Sequence, residues 1–352
     1  MMASGTEPYR LVDSASLSFL LLAVAQNLEA PMFAARLHEW GSSPSIDEVP
    51  APTPAAGESL VRVLAASVGH LDLTIAGGHF PVSPTLPYIG GVEGCGIVLE
   101  SETIPVGSRV IVRGAGIGID RDGCWAEYVA VPDSALFPAS PAMTPELASA
   151  YFVPATTAHV ALHEIGRLVA GETVLVLGAA GAVGSIACQL ALYAGAQVIG
   201  VVSRAERKQA VPPGVECLSL DEPGDVQHLA ADRRADLVVD TFGGDGLTER
   251  LWWAKPGGRV ALVGYTQGSA AGMDLPAWLL SDVAVLPVNT ISRAAAASRC
   301  DPELRAMLED GRLTLNLEAF PLAAIGDAVT RLRSGLVRGR AVLTMPSHSA
   351  EQ

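Results

Sequence analysis

From residue 173 onward, long unbroken apolar runs alternate with glycine-marked turns and helical apolar spacing. TVLVLG (173–178) is β-branched and apolar with no alternation, the pattern of a strand buried on both faces of a parallel sheet. Gly178, Gly181 and Gly184 punctuate the next stretch, Ile186, Leu190 and Leu192 mark a helix, and AQVIGVVS (196–203) is a second strand. The rhythm predicts further strands at 215–220, 235–241, 258–264 and 283–289, with helices between the first five. Six strands in that order make a complete doubly wound sheet. Residues 145–170 read as helical.

Upstream the pattern is different. MFAARLHEW, LVRVLAASV, GCGIVLE, SRVIVRG and WAEYVAV are strand-length pieces broken by Pro and Gly, which predicts a compact antiparallel barrel. After residue 289 a helix near 302–310 and the strand RAVLTM are expected to close the chain by returning to that barrel. The predicted organisation is α/β, with one domain at 32–150 plus 291–346, a second at 151–290, and a tail at 347–352. Residues 1–31 read as a poorly ordered extension. Their apolar run LSFLLLAVA is too short to span a bilayer. Arg10, Ala23 and Ala25 imitate a signal peptide, but Glu7 and Asp13 do not suit one.

Composition narrows the function. With 352 residues, 49% hydrophobic and 17% charged, the chain can build two cores. Its net charge of −14 (23 basic against 37 acidic residues) argues against nucleic acid or anionic membrane as partner and leaves a small molecule. Cys95, Cys124, Cys188, Cys217 and Cys300 show no ligand spacing, as expected of free thiols in a reducing, cytoplasmic setting.

The strand, glycine turn and helix at 173–193 are the context in which a glycine pattern binds a dinucleotide. Glycines permit the tight turn, let a pyrophosphate approach the backbone and let helix pack on strand. The amides of Ala182, Val183 and Gly184 open the helix, where free N–H groups and the dipole favour an anion. The second strand ends in Ser203 and Arg204, followed by Arg207 and Lys208, with no carboxylate at Ser203 for a ribose 2′-hydroxyl. Ser203, Arg204 and Lys208 instead suit a 2′-phosphate, so NADPH is the expected cofactor. The plainer alternative is that these cations are the solvated start of a helix.

From about Met32 to Met345 the chain resembles the medium-chain dehydrogenase/reductase superfamily, in its zinc-free quinone oxidoreductase-like branch. The resemblance is carried, in order, by PTPAAGESLVRVLAASV, DLTIAGGHFPVSPTLPYIGGVEGCGIV, VGSRV, GCWAEYVAVP, ATTAHVAL, GETVLVLGAAGAVGS, DLVVDTFGG, GGRVALVG and GRAVLTM. It implies a GroES-like β-barrel catalytic domain and a Rossmann domain. In zinc members a cysteine stands at the position of Gly69 and a histidine at that of Val92, so the resemblance implies that no metal is bound. It further implies that Thr157 lies near the nicotinamide and that Asp240, Thr241, Gly264 and Tyr265 line the dinucleotide groove, although Asp240 could equally cap its strand.

Two departures bear on catalysis. Zinc-free quinone reductases commonly carry asparagine where this chain has Gly69, and many enoyl reductases carry tyrosine where it has Phe80. His79 is the ionisable neighbour of Phe80, and by resemblance His70 and Asp72 point into the same region. These three are the catalytic candidates, with loop solvation (the histidines), turn capping (Asp72) and a solvent proton donor as alternatives. The expected activity is NADPH-dependent, zinc-independent hydride transfer to a quinone or similar conjugated carbonyl. An NADPH-dependent enoyl reductase and an NADPH-binding structural or regulatory protein are the alternatives. Family members usually pair through Rossmann edge strands, so the apolar VAVLPVN (283–289) implies a homodimer.

Overall fold

The computed structural model describes residues 31–232 and 234–346. The expectations for residues 1–30 and 347–352 lie outside the described residues. The chain divides into two units, one ending at Ala150 and resumed at Leu317, the other running from Tyr151 to Asn316.

The first unit begins with β1 (Met32–Leu37), β2 (Ser45–Val49) and the long β3 (Glu58–Val68). A helix at His70–Ala76 leads to β4 (Tyr88–Ile89), β5 (Glu93–Glu100), β6 (Arg109–Arg113), β7 (Tyr128–Pro132) and β8 (Leu136–Pro138). β3 is the hub, paired antiparallel with both β5 and β7. Its alternating partners bury Leu60, Val61, Val63 and Ala66 in a core with Trp125, Tyr128 and Val129.

The second unit is built on β9 (Thr173–Leu177), β10 (Gln197–Val202), β11 (Glu216–Ser219), β12 (Ala235–Asp240), β13 (Ala254–Leu262) and β14 (Ala284–Pro287). Their order is β11-β10-β9-β12-β13-β14, all parallel, which is the doubly wound sheet the hydrophobic pattern predicts. β9 lies between β10 and β12, which explains its lack of alternation: both faces are buried.

The chain returns to the first unit later than expected. The helix Ala294–Glu309 stays in the second unit, packed on the helix Phe152–His159 and tied to it by the hydrogen bond from Tyr151 Oη to Asp301 Oδ1 (2.7 Å). Only β15 (Leu317–Pro321), the helix Ile325–Arg333 and β16 (Arg340–Thr344) rejoin the first unit. β16 pairs antiparallel with β3 but parallel with β15, so the seven-stranded sheet is mixed rather than wholly antiparallel. The expected 145–170 helix is broken at Ser149, which caps the turn Pro145–Ala148. It stops at Gly166, where Arg259 donates to the Gly166 carbonyl and Arg167 takes a left-handed φ of 49°. Among the described residues no helix is long and apolar enough to cross a membrane.

Candidate functional site

In the second unit the turn after β9 shapes a cradle with no side chains in its floor. Gly178 has φ +74°, and a Cβ there would overlap the Thr241 hydroxyl. A Cβ on Gly184 would overlap the Gly178 carbonyl, so the helix Ala182–Tyr193 approaches its strand only because that atom is missing. Gly181 is the N-cap, without a capping side chain. The first N–H groups, on Ala182, Val183 and Gly184, therefore point out of the helix unsatisfied by it. This set fits the diphosphate of a dinucleotide.

The neighbouring turns complete the rim. Thr241 Oγ1 donates to the Leu177 carbonyl (2.8 Å), and Gly264 sits so close to Thr241 that a Cβ would overlap the Thr241 carbonyl. Tyr265 is about half exposed. Thr157 is buried at 9% exposure, and its hydroxyl makes no hydrogen bond among the described residues. Asp240, expected to line the groove, is wholly enclosed instead. Its Oδ1 accepts from the amides of Phe242 (2.8 Å) and Gly243 (3.0 Å), and its Oδ2 accepts from Arg250 Nε (2.9 Å). Both oxygens are committed, so Asp240 shapes the loop without touching a ligand.

At the end of β10, Ser203 is half-buried and Arg204 is exposed, 3.9 Å from Glu206. Lys208 is placed differently from its expected role at a 2′-phosphate. Its Nζ is held by Glu222 (2.5 Å) and Asp225 (3.0 Å), which keep its pKa well above the usual lysine value. Two carboxylates already balance its charge, which leaves Ser203 and Arg204 as the groups available to a phosphate.

In the first unit, sheet register assembles a second cluster. Ala66 pairs with Gly94 and Val68 with Ala341, so the next positions along bring Ser67 beside Glu93 and Gly69 beside Arg340. Arg340 Nη2 donates to Glu93 Oε2 (2.9 Å) and Ser67 Oγ (3.0 Å). Gly69 follows β3 and is the N-cap of the helix His70–Ala76, where Asp72 Oδ2 accepts its amide (2.8 Å) and Asp72 Oδ1 accepts the amide of Val92 (3.0 Å). Burial pushes the Asp72 pKa up to about 6, against the lowering effect of Arg340 and both amides. Asp72 is thus an enclosed cap that fixes the strand-to-helix turn.

His70 has an exposed surface, yet its pKa is pushed down to about 4, by desolvation first and by the Arg340 charge second. Its imidazole is neutral at neutral pH. His79 is exposed in the turn after the helix, its ring against Gly77, while Phe80 packs on the cluster of Leu37, Ile75, Tyr88 and Val92.

The residues at the family's metal position do not fit a metal. A Cβ built on Gly69 would overlap Arg340 Nη1 and lie 2.6 Å from Cζ, so a guanidinium fills the room a ligand side chain would need. A divalent cation beside that guanidinium would face like-charge repulsion. Among the described residues no group of three or more His, Cys, Asp or Glu is placed to hold a metal ion. Sequence reasoning missed Arg340 and Ser67. The available signal was a stranded charge: Arg340 opens an otherwise apolar strand, and Glu93 interrupts the run GGVEGCGIV.

Comparison with known proteins agrees with both units. Residues 55–141 match the family model "Alcohol dehydrogenase GroES-like domain", and residues 182–302 match "Zinc-binding dehydrogenase". The chain is 31% identical to prostaglandin reductase-3 of Bos taurus over 63% of this chain and 59% of that protein, less than two thirds of its length. It is 29% identical to the quinone oxidoreductase of Mus musculus over 69% of this chain and 75% of that one. The structure of mycobacterial Rv1454c complexed with NADPH superposes with a TM-score of 0.77 at 27% identity, covering 89% of this chain and 99% of the other. With the glycine cradle, the GroES-like sheet and these relatives together, the chain belongs to the medium-chain dehydrogenase/reductase superfamily, in its quinone oxidoreductase-like branch.

Proposed function

We propose that this protein is an NADPH-dependent, zinc-independent oxidoreductase that reduces a quinone or similar conjugated carbonyl. The acceptor class is carried by one observation: at Gly69 the metal-ligand position holds no side chain, and a guanidinium occupies its space. Without a Lewis acid, an acceptor activated by its own conjugation, such as a quinone or unsaturated carbonyl, is the favoured substrate. Bound NADPH supplies the hydride. The N–H groups of Ala182, Val183 and Gly184 hold the diphosphate, and Ser203 and Arg204 take the 2′-phosphate, in keeping with the NADPH complex of Rv1454c. Thr157 contributes its unpaired hydroxyl to the nicotinamide end. Phe80 has no proton to give, so protonation falls to His79 or to solvent.

The similarity to prostaglandin reductase-3 favours a second reading, reduction of a carbon–carbon double bond conjugated to a carbonyl. A second copy of this chain is the proposed partner. Beside the edge strand β14, the helix Leu275–Ser281 exposes Leu279 and Leu280, and Ile291 follows. The reducing cytoplasm is the proposed compartment, since all five thiols are unpaired.

The test is fluorescence titration with NADPH and NADH, followed by NADPH oxidation with para-benzoquinone, phenanthrenequinone and crotonyl-CoA. NADPH should bind at least about tenfold more tightly than NADH, and an Arg204→Gln substitution should remove most of that margin. Turnover of the quinones supports the first reading, and turnover of crotonyl-CoA alone moves the enzyme to the second. Tighter binding of NADH would overturn the assignment of Ser203 and Arg204.

A further inference from the structure

The second unit carries a pair of histidines that hydride transfer does not use. His159 ends the helix Phe152–His159, and His163 stands four residues on, inside the π-helical turn Val160–Ile165. Residues four apart share one face of a helix. The wider turn, closed by the Gly166 N–H on the Ala161 carbonyl (2.9 Å), brings such residues more nearly in line. The two ring centres are 4.7 Å apart and their planes are tilted by 49°, so the rings do not stack. Both are partly buried, and neither ring makes a hydrogen bond or ion pair among the described residues. Burial, and for His159 the neighbouring imidazole as well, holds both below the usual histidine pKa, so each offers a nitrogen lone pair at neutral pH.

The surroundings are acidic without closing the pair off. Glu164 and Glu303 both act to raise the pKa of each ring, which places negative charge near both. Glu164 is occupied by Arg299 (3.3 Å), whereas Glu303, exposed on the helix Ala294–Glu309 that packs alongside, has no partner among the described residues. Among the described residues no third His, Cys, Asp or Glu stands close enough to make a three-ligand set, so an ion held here keeps water at its other positions. The ring separation suits such an ion. A metal about 2.1 Å from a ring nitrogen lies about 3.2 Å from the ring centre, so two imidazoles at about 90° on one ion have centres about 4.5 Å apart, and at the tetrahedral angle about 5.2 Å. The observed 4.7 Å falls nearer the right angle of square-planar and tetragonal sites, the geometry of copper(II) and nickel(II).

We propose that His159 and His163 form a two-nitrogen site for a divalent transition-metal ion, copper(II) ahead of nickel(II) and zinc(II), with Glu303 accepting a hydrogen bond from a water on the ion. The site lies within the second unit, whereas Gly69 belongs to the first. It is independent of the hydride reading and takes no part in that reaction. Binding exchanges two waters on the ion for two imidazole nitrogens and changes no oxidation state. Glu303 acts as an outer partner that orients the coordinated water and adds compensating charge.

The test titrates the metal-free full chain with copper(II), nickel(II) and zinc(II) chloride by calorimetry, and reads the nitrogen hyperfine pattern of the copper complex by electron paramagnetic resonance at one equivalent. The tightest site should take one copper ion per chain, show coupling to two nitrogens, and bind nickel and zinc at least about tenfold more weakly. His159→Gln and His163→Gln should each lower copper affinity by about a hundredfold or more, and Glu303→Gln by about tenfold. His228→Gln, which removes an exposed histidine elsewhere in the same unit, should leave it unchanged. If a glutamine variant at either ligand fails to fold, the wild-type spectrum decides alone, since coupling to one nitrogen or none overturns the proposal. An unchanged copper affinity in His159→Gln/His163→Gln overturns it too, as does loss of the tight site in His228→Gln.

Discussion

The glycine cradle and the Arg340 cluster present hydrogen-bond donors in opposite ways. The cradle does it by subtraction: Gly178, Gly181 and Gly184 leave backbone amides and a helix N-terminus uncovered, with no charged side chain in the floor. The cluster does it by addition, burying Arg340 and Glu93 and spending half of the guanidinium to hold the other half in place. A subtractive site costs little in stability, because nothing charged is desolvated. An additive site is expensive when broken, because each partner left behind is a buried charge. The two regions should therefore fail differently, the cluster in folding and the cradle in binding.

The largest expected effect is on the cluster. Glu93→Gln keeps the shape but leaves Arg340 uncompensated, and should cost roughly 3–5 kcal/mol in denaturant unfolding. The pair Arg340→Met/Glu93→Leu should recover most of that loss. If Glu93→Gln costs less than about 1 kcal/mol, the ion pair does not hold the additive site together. Asp72 gives the next effect. Its folded pKa of about 6 lies above the ordinary 3.8, so the native state keeps its proton at pH values where the unfolded chain has lost it. The stabilisation is full below pH 3.8 and is lost as pH rises to about 6, a fall of about 3 kcal/mol over that window. Asp72→Asn does not titrate. The difference in unfolding free energy between wild type and Asp72→Asn should shrink by about that amount across the same pH range. A flat difference would mean that Asp72 is ionised throughout.

The two regions also differ in how readily the sequence reveals them. The cradle lies within one stretch of chain, from β9 through its helix to β10, so the apolar run, the glycine spacing and the missing carboxylate at Ser203 could all be read locally. The cluster needs β3, β5 and β16 in register, and Arg340 is 247 residues from Glu93. No local pattern encodes that meeting. Reading the neighbourhood of Gly69 by resemblance found the missing ligand but not the guanidinium that fills its space. Lys208 shows the same limit on a smaller scale: its position after β10 suggested a phosphate partner, and the fold brings Glu222 and Asp225 to it from beyond β11. The late return at Leu317 is similar: the helix Ala294–Glu309 that precedes it is tied to Tyr151 through Asp301, 150 residues away in sequence.

The smallest of the three effects tests whether the cradle works by subtraction alone. Gly184→Ala adds one methyl group that would overlap the Gly178 carbonyl, so the helix must move away from β9 by a few tenths of an ångström or more. Its first amides move with it, and the Gly178–Gly181 turn loses the geometry set by the Gly181 amide bond to the Gly178 carbonyl (2.8 Å). NADPH affinity should fall about a hundredfold, or about 2.7 kcal/mol, as read by fluorescence titration. Alanine is a better helix former than glycine by about 1 kcal/mol, which offsets part of the strain, so unfolding stability should change far less than it does in Glu93→Gln. Affinity lost with stability largely kept would show that the cradle carries binding without carrying the fold. If stability fell as far as in Glu93→Gln, the close approach of helix to strand would be structural in the same sense as the buried ion pair, and the contrast between the two regions would collapse.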